Sequence, residues 1–342
     1  MNRLFRKNLQ NLTKNDINSI EKLSNDVINK IKNANFTSKQ IEDIKTSYLN
    51  LCKKYNTDNL EVAIRSSAIA EDMPNASFAG QQDTFLNIKG IDNIILHIKY
   101  CIASLYNIRA ISYRLSHNIK YEDIKISVAI QKMIRSDIGS AGVAFSIDPE
   151  TGYDKAIIIN SSFGLGELVV SGGVTPDEVI CNKSTLYSSS DPILMKKLGS
   201  KNNKIIYNTK DTINKILCDT NGTIEIETTN SEKNKFSITD QQSILLSQYV
   251  YQLETNYSKL FNKKMAIDVE WAIDGIDNKI YILQTRPETI HSNDSIKELS
   301  TYILDEKGEV LLKGVAVGSK ISSGKIKILD SFSEINKFNK ED

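Results

Sequence analysis

The chain has 342 residues, of which 40% are apolar and 25% charged, with a formal net charge of +1. That length suits roughly two domains and a sizeable core, and the near-neutral balance leaves none of the basic excess that marks a nucleic-acid binder. No apolar run approaches the roughly 20 residues of a membrane span, no apolar core follows the amino-terminal Met-Asn-Arg-Leu-Phe-Arg-Lys as in a signal peptide, and Cys52, Cys101, Cys181 and Cys218 form no C-x-x-C pair. Isolated cysteines in a chain this long are expected to be reduced thiols, so the expectation is a cytoplasmic protein with no nucleic-acid and no membrane partner.

In chain order, residues 10–57 predict two or three helices. Ile17, Ile20, Leu23, Val27 and Ile31 recur at three- and four-residue steps, the stripe of an amphipathic helix, and Asn15-Asp16 offers a cap. A short apolar strand follows at 62–64. One helix is predicted over 92–117, with Ile95, Ile98, Ile102 and Leu105 buried, His97 inside the pattern, and Arg109 and Arg114 as surface charges near its end. Strand chemistry takes over at 126–133, and the runs at 142–147 and 156–160 form a hairpin about the turn Asp148-Pro-Glu-Thr-Gly152. Gly164-Leu-Gly-Glu167 opens a helix or a tight loop, and 185–235 is polar, compatible with strands and long loops. Thr239-Asp240 caps a helix to about 260, with Ile244, Leu245, Tyr249 and Leu253 on one face. The runs 265–273 and 279–285 form a second hairpin about Asp274-Gly-Ile-Asp-Asn278.

Two stretches carry chemistry. The strand at 62–64 delivers Arg65 into a run of small and hydroxyl residues that includes Gly80 and Thr84. Small residues let backbone N–H groups approach an anion, hydroxyls donate, and arginine adds a forked fixed cation. A phosphate-handling loop and a plain surface loop are both open on these residues alone. The other stretch is the hairpin at 265–285. Side chains alternate faces along a strand, which sets Ile267, Val269, Trp271 and Ile273 on one side and Asp268 and Glu270 on the other. On the returning strand Tyr281 and Leu283 share a face, and Gln284 and Arg286 fall opposite them with Ile280 and Ile282. If Glu270 lies across from Gln284, then Asp268 lies across from Arg286, with Cβ atoms about 5 Å apart. An acid and an amide oxygen at that spacing can both face Mg²⁺, which takes oxygen ligands and substrate phosphates. A surface hairpin with an Asp–Arg pair of little energetic weight is the other reading.

Taken together, these pieces resemble the ATP-binding domain of the phosphoenolpyruvate synthase (pyruvate, water dikinase) family. The matching segments are R-S-S-A-I-A-E-D-M-P-N-A-S-F-A-G-Q-Q-D-T-F-L-N (65–87), N-I-R-A-I-S-Y-R (107–114), M-I-R-S-D (133–137), G-V-A-F-S-I-D-P-E-T-G (142–152), G-L-G-E (164–167), P-D-E (176–178), D-V-E-W-A (268–272) and Q-T-R-P-E-T (284–289). They keep the family's order across most of 10–296. Pyruvate phosphate dikinases share the architecture but carry a Met-Pro-Gly-Met-Met type of stretch in place of Asn-Ala-Ser-Phe-Ala-Gly, and rifamycin phosphotransferases use a very similar ATP domain.

The resemblance implies an α+β, ATP-grasp fold of two subdomains with antiparallel sheets and flanking helices. It divides the chain into a helical layer of a shortened first subdomain (1–60), that subdomain's phosphate-loop strand and helix (61–130), a second subdomain with a metal-binding hairpin (131–296), and a linker with the opening strands of an incomplete phosphohistidine domain (297–342). The implied ligands are ATP and Mg²⁺. Arg65 would hold ATP phosphates, Gly80 and Thr84 would line the phosphate and ribose side, and Gln131 would lie where the family's hinge meets adenine. Glu270 and Gln284 would hold Mg²⁺, and Arg286 would bind phosphate and stabilise the transferring group. Arg65 and Arg286 are thus the catalytic candidates; Asp268 would orient its neighbours, and Gly164 and Gly166 belong to a family loop near the nucleotide.

Two departures shape the expectation. No Gly-Gly-Lys-x-x-x-Leu-Gly segment precedes the first helices, and none of His97, His117 and His291 has the Gly-Gly-x-Thr-x-His context of the family's phosphoryl-accepting histidine. Gly314-Val-Ala-Val-Gly318 and Gly324-Lys-Ile-Lys-Ile-Leu329 resemble the opening strands of that histidine's domain. The expectation is therefore the ATP-binding, phosphoryl-transfer part of a phosphoenolpyruvate synthase, which converts ATP, pyruvate and water to AMP, phosphoenolpyruvate and phosphate. It would not complete that reaction alone, and would work with a separate chain carrying the phosphohistidine and pyruvate-binding domains. The alternatives are the ATP domain of a rifamycin-type drug phosphotransferase and a non-catalytic remnant.

Overall fold

The computed structural model describes residues 17–68, 83–117, 119, 125–188, 191–208, 222–288, 308–310 and 327–328. The chain divides into two compact units, 1–295 and 296–342, and every helix and strand described belongs to the first. Its order begins α1 (Ile17–Lys32), α2 (Ser38–Lys54), β1 (Val62–Ala68), β2 (Thr84–Ile88), α3 (Ile91–Ala103), α4 (Ile108–Ser116) and β3 (Ile126–Lys132). It continues with β4 (Ser140–Phe145), β5 (Ala156–Phe163), α5 (Glu167–Val170), β6 (Asp177–Asn182), β7 (Ile193–Lys197), β8 (Asn203–Tyr207) and β9 (Thr223–Glu227). It closes with α6 (Asn230–Lys233), α7 (Asp240–Leu260), β10 (Ile267–Ile273) and β11 (Ile280–Pro287). The strands form three sheets, ordered β2-β1-β3, β11-β10-β4-β5-β6-β7 and β8-β9. Every pairing is antiparallel, so the architecture is a mixed one of helices and antiparallel sheets.

Alternation in β1 decides what the first sheet presents. Val62 and Ile64 are completely buried against Ile94, Ile98 and Cys101 of α3 and Tyr48 and Cys52 of α2, which leaves Ala63 and Arg65 for the opposite face. Each fully buried aliphatic side chain contributes about 1.5–3 kcal/mol, so β1 has one stable register. Thr37 caps α2 through a reciprocal capping box with Gln40, and Leu23 and Val27 of α1 pack on Leu105 and Tyr106.

The helix expected over 92–117 is broken. α3 ends in a 3-10 turn, Ser104–Tyr106, and α4 restarts where the Asn107 side chain accepts from the Ala110 N–H at 2.7 Å, a cap that competes with helix continuation. Arg114 is not the surface charge expected of it. It is buried, and its Nε donates to Ala110 O at 2.9 Å and its Nη2 to Leu105 O at 2.5 Å, which satisfies carbonyls near the break. Burial lowers its pKa to about 10. By length and composition the stretch Ile91–Ser116 is apolar enough to cross a membrane, a feature the sequence reading did not count. Its apolar face is spent instead on the core of the first sheet.

In the six-stranded sheet β5 is central and its Ile157, Ile158 and Ile159 are all buried, on both faces. α7 covers one face: Leu246 and Val250 pack on Ile157, Ile159 and Trp271, and Thr239 caps the helix in a capping box with Gln242. Gly142 in β4 lies between β5 and β10, where a Cβ would come within 1.9 Å of the Asn160 carbonyl. The hairpin expected about 148–152 is present as β4 and β5, with Ala144 across from Ile159. The strands expected within 185–235 are β7, β8 and β9.

Candidate functional site

The open face of the first sheet meets the edge hairpin of the second. On β1, Arg65 pairs in register with Thr84 of β2 and Ala129 of β3, while Ala63 pairs with Gln131. Residues directly opposed, and those two apart on one strand, share a face. Arg65, Thr84 and Gln131 therefore lie on the same side of the sheet, away from the α2–α3 core. On the hairpin, Asp268 lies across from Arg286 and Glu270 across from Gln284, the register the sequence suggested.

These two surfaces touch through Arg65. Its Nη2 donates to Glu270 Oε2 at 2.8 Å and to Gln284 Oε1, joining residues 205 and 219 positions apart in sequence. Beside this trio Arg286 Nε donates to Asp268 Oδ2 at 3.2 Å. Two arginines and two carboxylates thus make a cluster of zero formal charge. It remains reachable, since the side chains of Arg65 and Glu270 keep 17% and 30% of their surface.

The face assignment on the returning strand needs correction. Simple alternation puts Gln284 and Arg286 with Ile280 and Ile282. In the structure Ile280 and Ile282 pack against the core beneath α7, with Trp271 across from Ile282, yet Gln284 is across from Glu270 on the other face. Leu283 is the extra residue: the register shifts between Glu270 and Trp271, a β-bulge. The bulge lets one strand place isoleucines in the core before its turn of phase and polar groups in the site after it. Its carbonyl has a partner as well, because Gln131 Nε2 donates to Leu283 O at 3.2 Å. Sequence reasoning missed Leu283, though a signal existed: apolar and polar residues of the same parity in one strand require a break in phase.

The surroundings rest on the 133–137 and 164–167 segments. Arg135 forks onto Asp137, Nε to Oδ1 at 2.8 Å and Nη2 to Oδ2 at 2.9 Å, and lies over the Tyr207 ring. The hydrogen bond to Asp137 raises the Arg135 pKa further, and burial pushes the Tyr207 hydroxyl well up. Leu165 packs with Ala63, Met133, Ile205 and Tyr207, so the 164–167 loop wedges between the first sheet and β8. Gly164 sits there with φ +84°, and a Cβ would meet the Ile205 carbonyl at 2.6 Å. Burial, and then the nearby Glu225 charge, raise the Glu167 pKa.

The structure therefore brings together Arg65, Gln131, Glu270 and Gln284, with Arg286 on its neighbour Asp268. Thr84 is exposed on the Arg65 face. Gly80, with the whole run from 69 to 82, His291 and the two glycine-bounded segments after 313 (all but 327–328) lie outside the described residues. One carboxylate oxygen and one amide oxygen converge on a single cationic nitrogen, a donor set that suits a hard divalent cation. Among the described residues no group of three or more His, Cys, Asp and Glu is arranged to hold a metal. The pair alone is a partial shell that phosphate oxygens would complete.

Comparison with known proteins covers most or nearly all of the chain. The family model for the pyruvate phosphate dikinase AMP/ATP-binding domain matches residues 1–305. A phosphoenolpyruvate synthase of Aquifex aeolicus is 40% identical over 339 residues, 98% of this chain and 39% of that protein. One of Helicobacter pylori is 41% identical over 336 residues, 96% of this chain and 40% of that protein. The Escherichia coli phosphoenolpyruvate synthase is 39% identical over 281 residues, 82% and 34% respectively. The chain thus spans about two-fifths of the length of the first two of these relatives.

Proposed function

The chain belongs to the family of pyruvate phosphate dikinase AMP/ATP-binding domains, and from that membership we propose that its two larger sheets form an ATP-grasp site for ATP and Mg²⁺. The reaction it serves is that of a phosphoenolpyruvate synthase: ATP, pyruvate and water give AMP, phosphoenolpyruvate and phosphate. This chain supplies the ATP-binding and phosphoryl-transfer part, and the phosphohistidine and pyruvate-binding domains act with it, whether in one polypeptide or in a partner.

The observation that carries the reading is the convergence of Arg65 with Glu270 and Gln284 across two sheets. A surface arginine has no need of partners more than 200 positions away, whereas a triphosphate needs cations and oxygen ligands in one place. Arg65 holds phosphate oxygens with its fork. Glu270 and Gln284 hold Mg²⁺, which when bound neutralises phosphate charge. Arg286, oriented by Asp268, lies on the same face as Glu270 and stabilises the transferring group. Gln131, tied to the bulge at Leu283, sits where the chain crosses from the first sheet toward the second and positions the base. Thr84 lines the phosphate and ribose side, the role that the family resemblance also implies for Gly80.

Calorimetric titration with ATP and Mg²⁺ tests the reading. Wild type is expected to bind at micromolar to submillimolar nucleotide, with Glu270→Ala and Arg286→Ala each at least tenfold weaker, equivalent to about 1.4 kcal/mol or more. No detectable wild-type binding at millimolar nucleotide would sink it, and so would variants that bind as wild type does.

A further inference from the structure

The Arg65 contact bears on how the site fills. One nitrogen of its guanidinium takes both the carboxylate oxygen of Glu270 and the amide oxygen of Gln284. These are the two oxygens proposed above for the metal, so this inference rests on that reading. The guanidinium stands where their lone pairs converge. Its side chain is more covered than Glu270's, 17% against 30% exposed, so a cation approaching from solvent reaches Glu270 with Arg65 already in place. We propose that Arg65 is an internal cation that occupies the metal subsite until nucleotide arrives, and so makes divalent-metal binding depend on nucleotide binding.

The charge balance gives the physical reason. With Arg65 on Glu270 and Arg286 on Asp268, each carboxylate has its own positive partner. A dication entering alone must displace a guanidinium with no anion to receive it, and it leaves two positive groups side by side. When a polyphosphate enters with the dication, the Arg65 fork moves from Glu270 to phosphate, and Glu270 and Gln284 are freed for the metal. Every charge then has an opposite neighbour both before and after the exchange. The coupling is reciprocal, so metal strengthens nucleotide binding by the factor by which nucleotide strengthens metal binding. The bulge at Leu283 contributes by fixing Gln284 on the Arg65 side of the hairpin.

The test uses the full chain and Mn²⁺ as the probe, with free ion counted by electron paramagnetic resonance. Without nucleotide, Arg65→Met is expected to bind Mn²⁺ at least tenfold more tightly than wild type, and Arg65→Lys, which keeps a cation, to stay within threefold of it. Adding Glu270→Gln to Arg65→Met is expected to abolish the gain. With ATP present, the enhancement of Mn²⁺ affinity is expected to be large in wild type and several-fold smaller in Arg65→Met. Should Arg65→Met fail to fold by circular dichroism, Arg65→Gln carries the same expectation. Equal nucleotide-free Mn²⁺ affinities in wild type and the neutral variant overturn the proposal, as does a gain that survives Glu270→Gln. Wild type that binds no ATP overturns the nucleotide reading instead, and the nucleotide-free comparison still decides the role of Arg65.

Discussion

Glu61 shows how a single residue can brace the site without entering it. It stands just ahead of β1, and Lys89, just after β2, places its Nζ 2.7 Å from the carboxylate. Its backbone carbonyl also accepts from the Met133 N–H at 2.9 Å, so the three strands of the first sheet meet at this point. Burial pushes the Glu61 carboxyl up, but the hydrogen bond from Lys89, followed by the charges of Lys89 and Arg135, holds the net value below the ordinary 4.5. A depressed carboxylate pKa means the folded state favours the ionised form. The stabilisation is fully present above about 4.5 and is lost as pH falls through the lower folded-state value. Glu61→Gln is expected to cost about 0.5–1 kcal/mol at pH 7, the scale of a half-exposed pair. The gap to wild type should narrow as pH falls below the ordinary 4.5 and not before, as read from urea midpoints at neutral and acid pH. Residue by residue, sequence reading did well where chemistry is local and poorly where burial decides. Arg109 is the surface charge it was taken to be, 65% exposed beside Asp83, whereas Arg114 in the same helix is buried and reaches back across the break to Leu105 O.

Elements were legible where a local code exists. Thr239 with Gln242 is a capping box written in four residues, and the pairing supposed for the polar residues of the hairpin, Glu270 with Gln284 and Asp268 with Arg286, is the one found. What escaped was any change of phase: the restart of helix at Asn107 and the bulge at Leu283 both break a period that pattern reading assumes constant. The bulge gives an element-scale expectation that is easy to check. Removing one residue from a strand normally sends every later side chain to the wrong face. Here Trp271 already pairs with Ile282 and Glu270 with Gln284, so deleting Leu283 should give a regular hairpin with both pairs kept. The deletion variant is expected to fold with wild-type circular dichroism and to lose about 1–2 kcal/mol, from the Leu283 contact with Ile134, Ala141 and Ala272 and the bond from Gln131. An unfolded deletion variant, or one that folds with Gln284 protected in the core, would mean that the extra residue is needed for the fold itself.

At the scale of the whole molecule, the meeting of Arg65 with Glu270 and Gln284 could not be read from spacing, because no local rule links strands more than 200 residues apart. Only the resemblance to a known family suggested it. Part of what makes the meeting possible is a separate anchor, again illegible in sequence. Lys201 is wholly buried; its Nζ lies 2.5 Å from Asp177 Oδ1 and donates to Gly199 O at 3.0 Å. Asp177 Oδ2 meanwhile accepts from the Ser237 N–H and hydroxyl. This pair pins the approach to β8 onto β6. Ile205 and Tyr207 of β8 pack under Leu165 and Ala63, so the anchor sets the floor between the two sheets. Removing one partner strands a buried charge, which costs about 3–5 kcal/mol, whereas replacing both with apolar groups of similar size can be far milder. Lys201→Met is therefore expected to lower the unfolding free energy by that amount, and Lys201→Met with Asp177→Leu to recover part of it, less what Ser237 and the Gly199 N–H lose. Trp271, the single tryptophan and fully buried, reports urea unfolding by its fluorescence. If the anchor acts on the site through β8, ATP affinity falls in Lys201→Met at temperatures where the variant is still fully folded. An unchanged affinity in a destabilised protein would confine Lys201 to holding the fold.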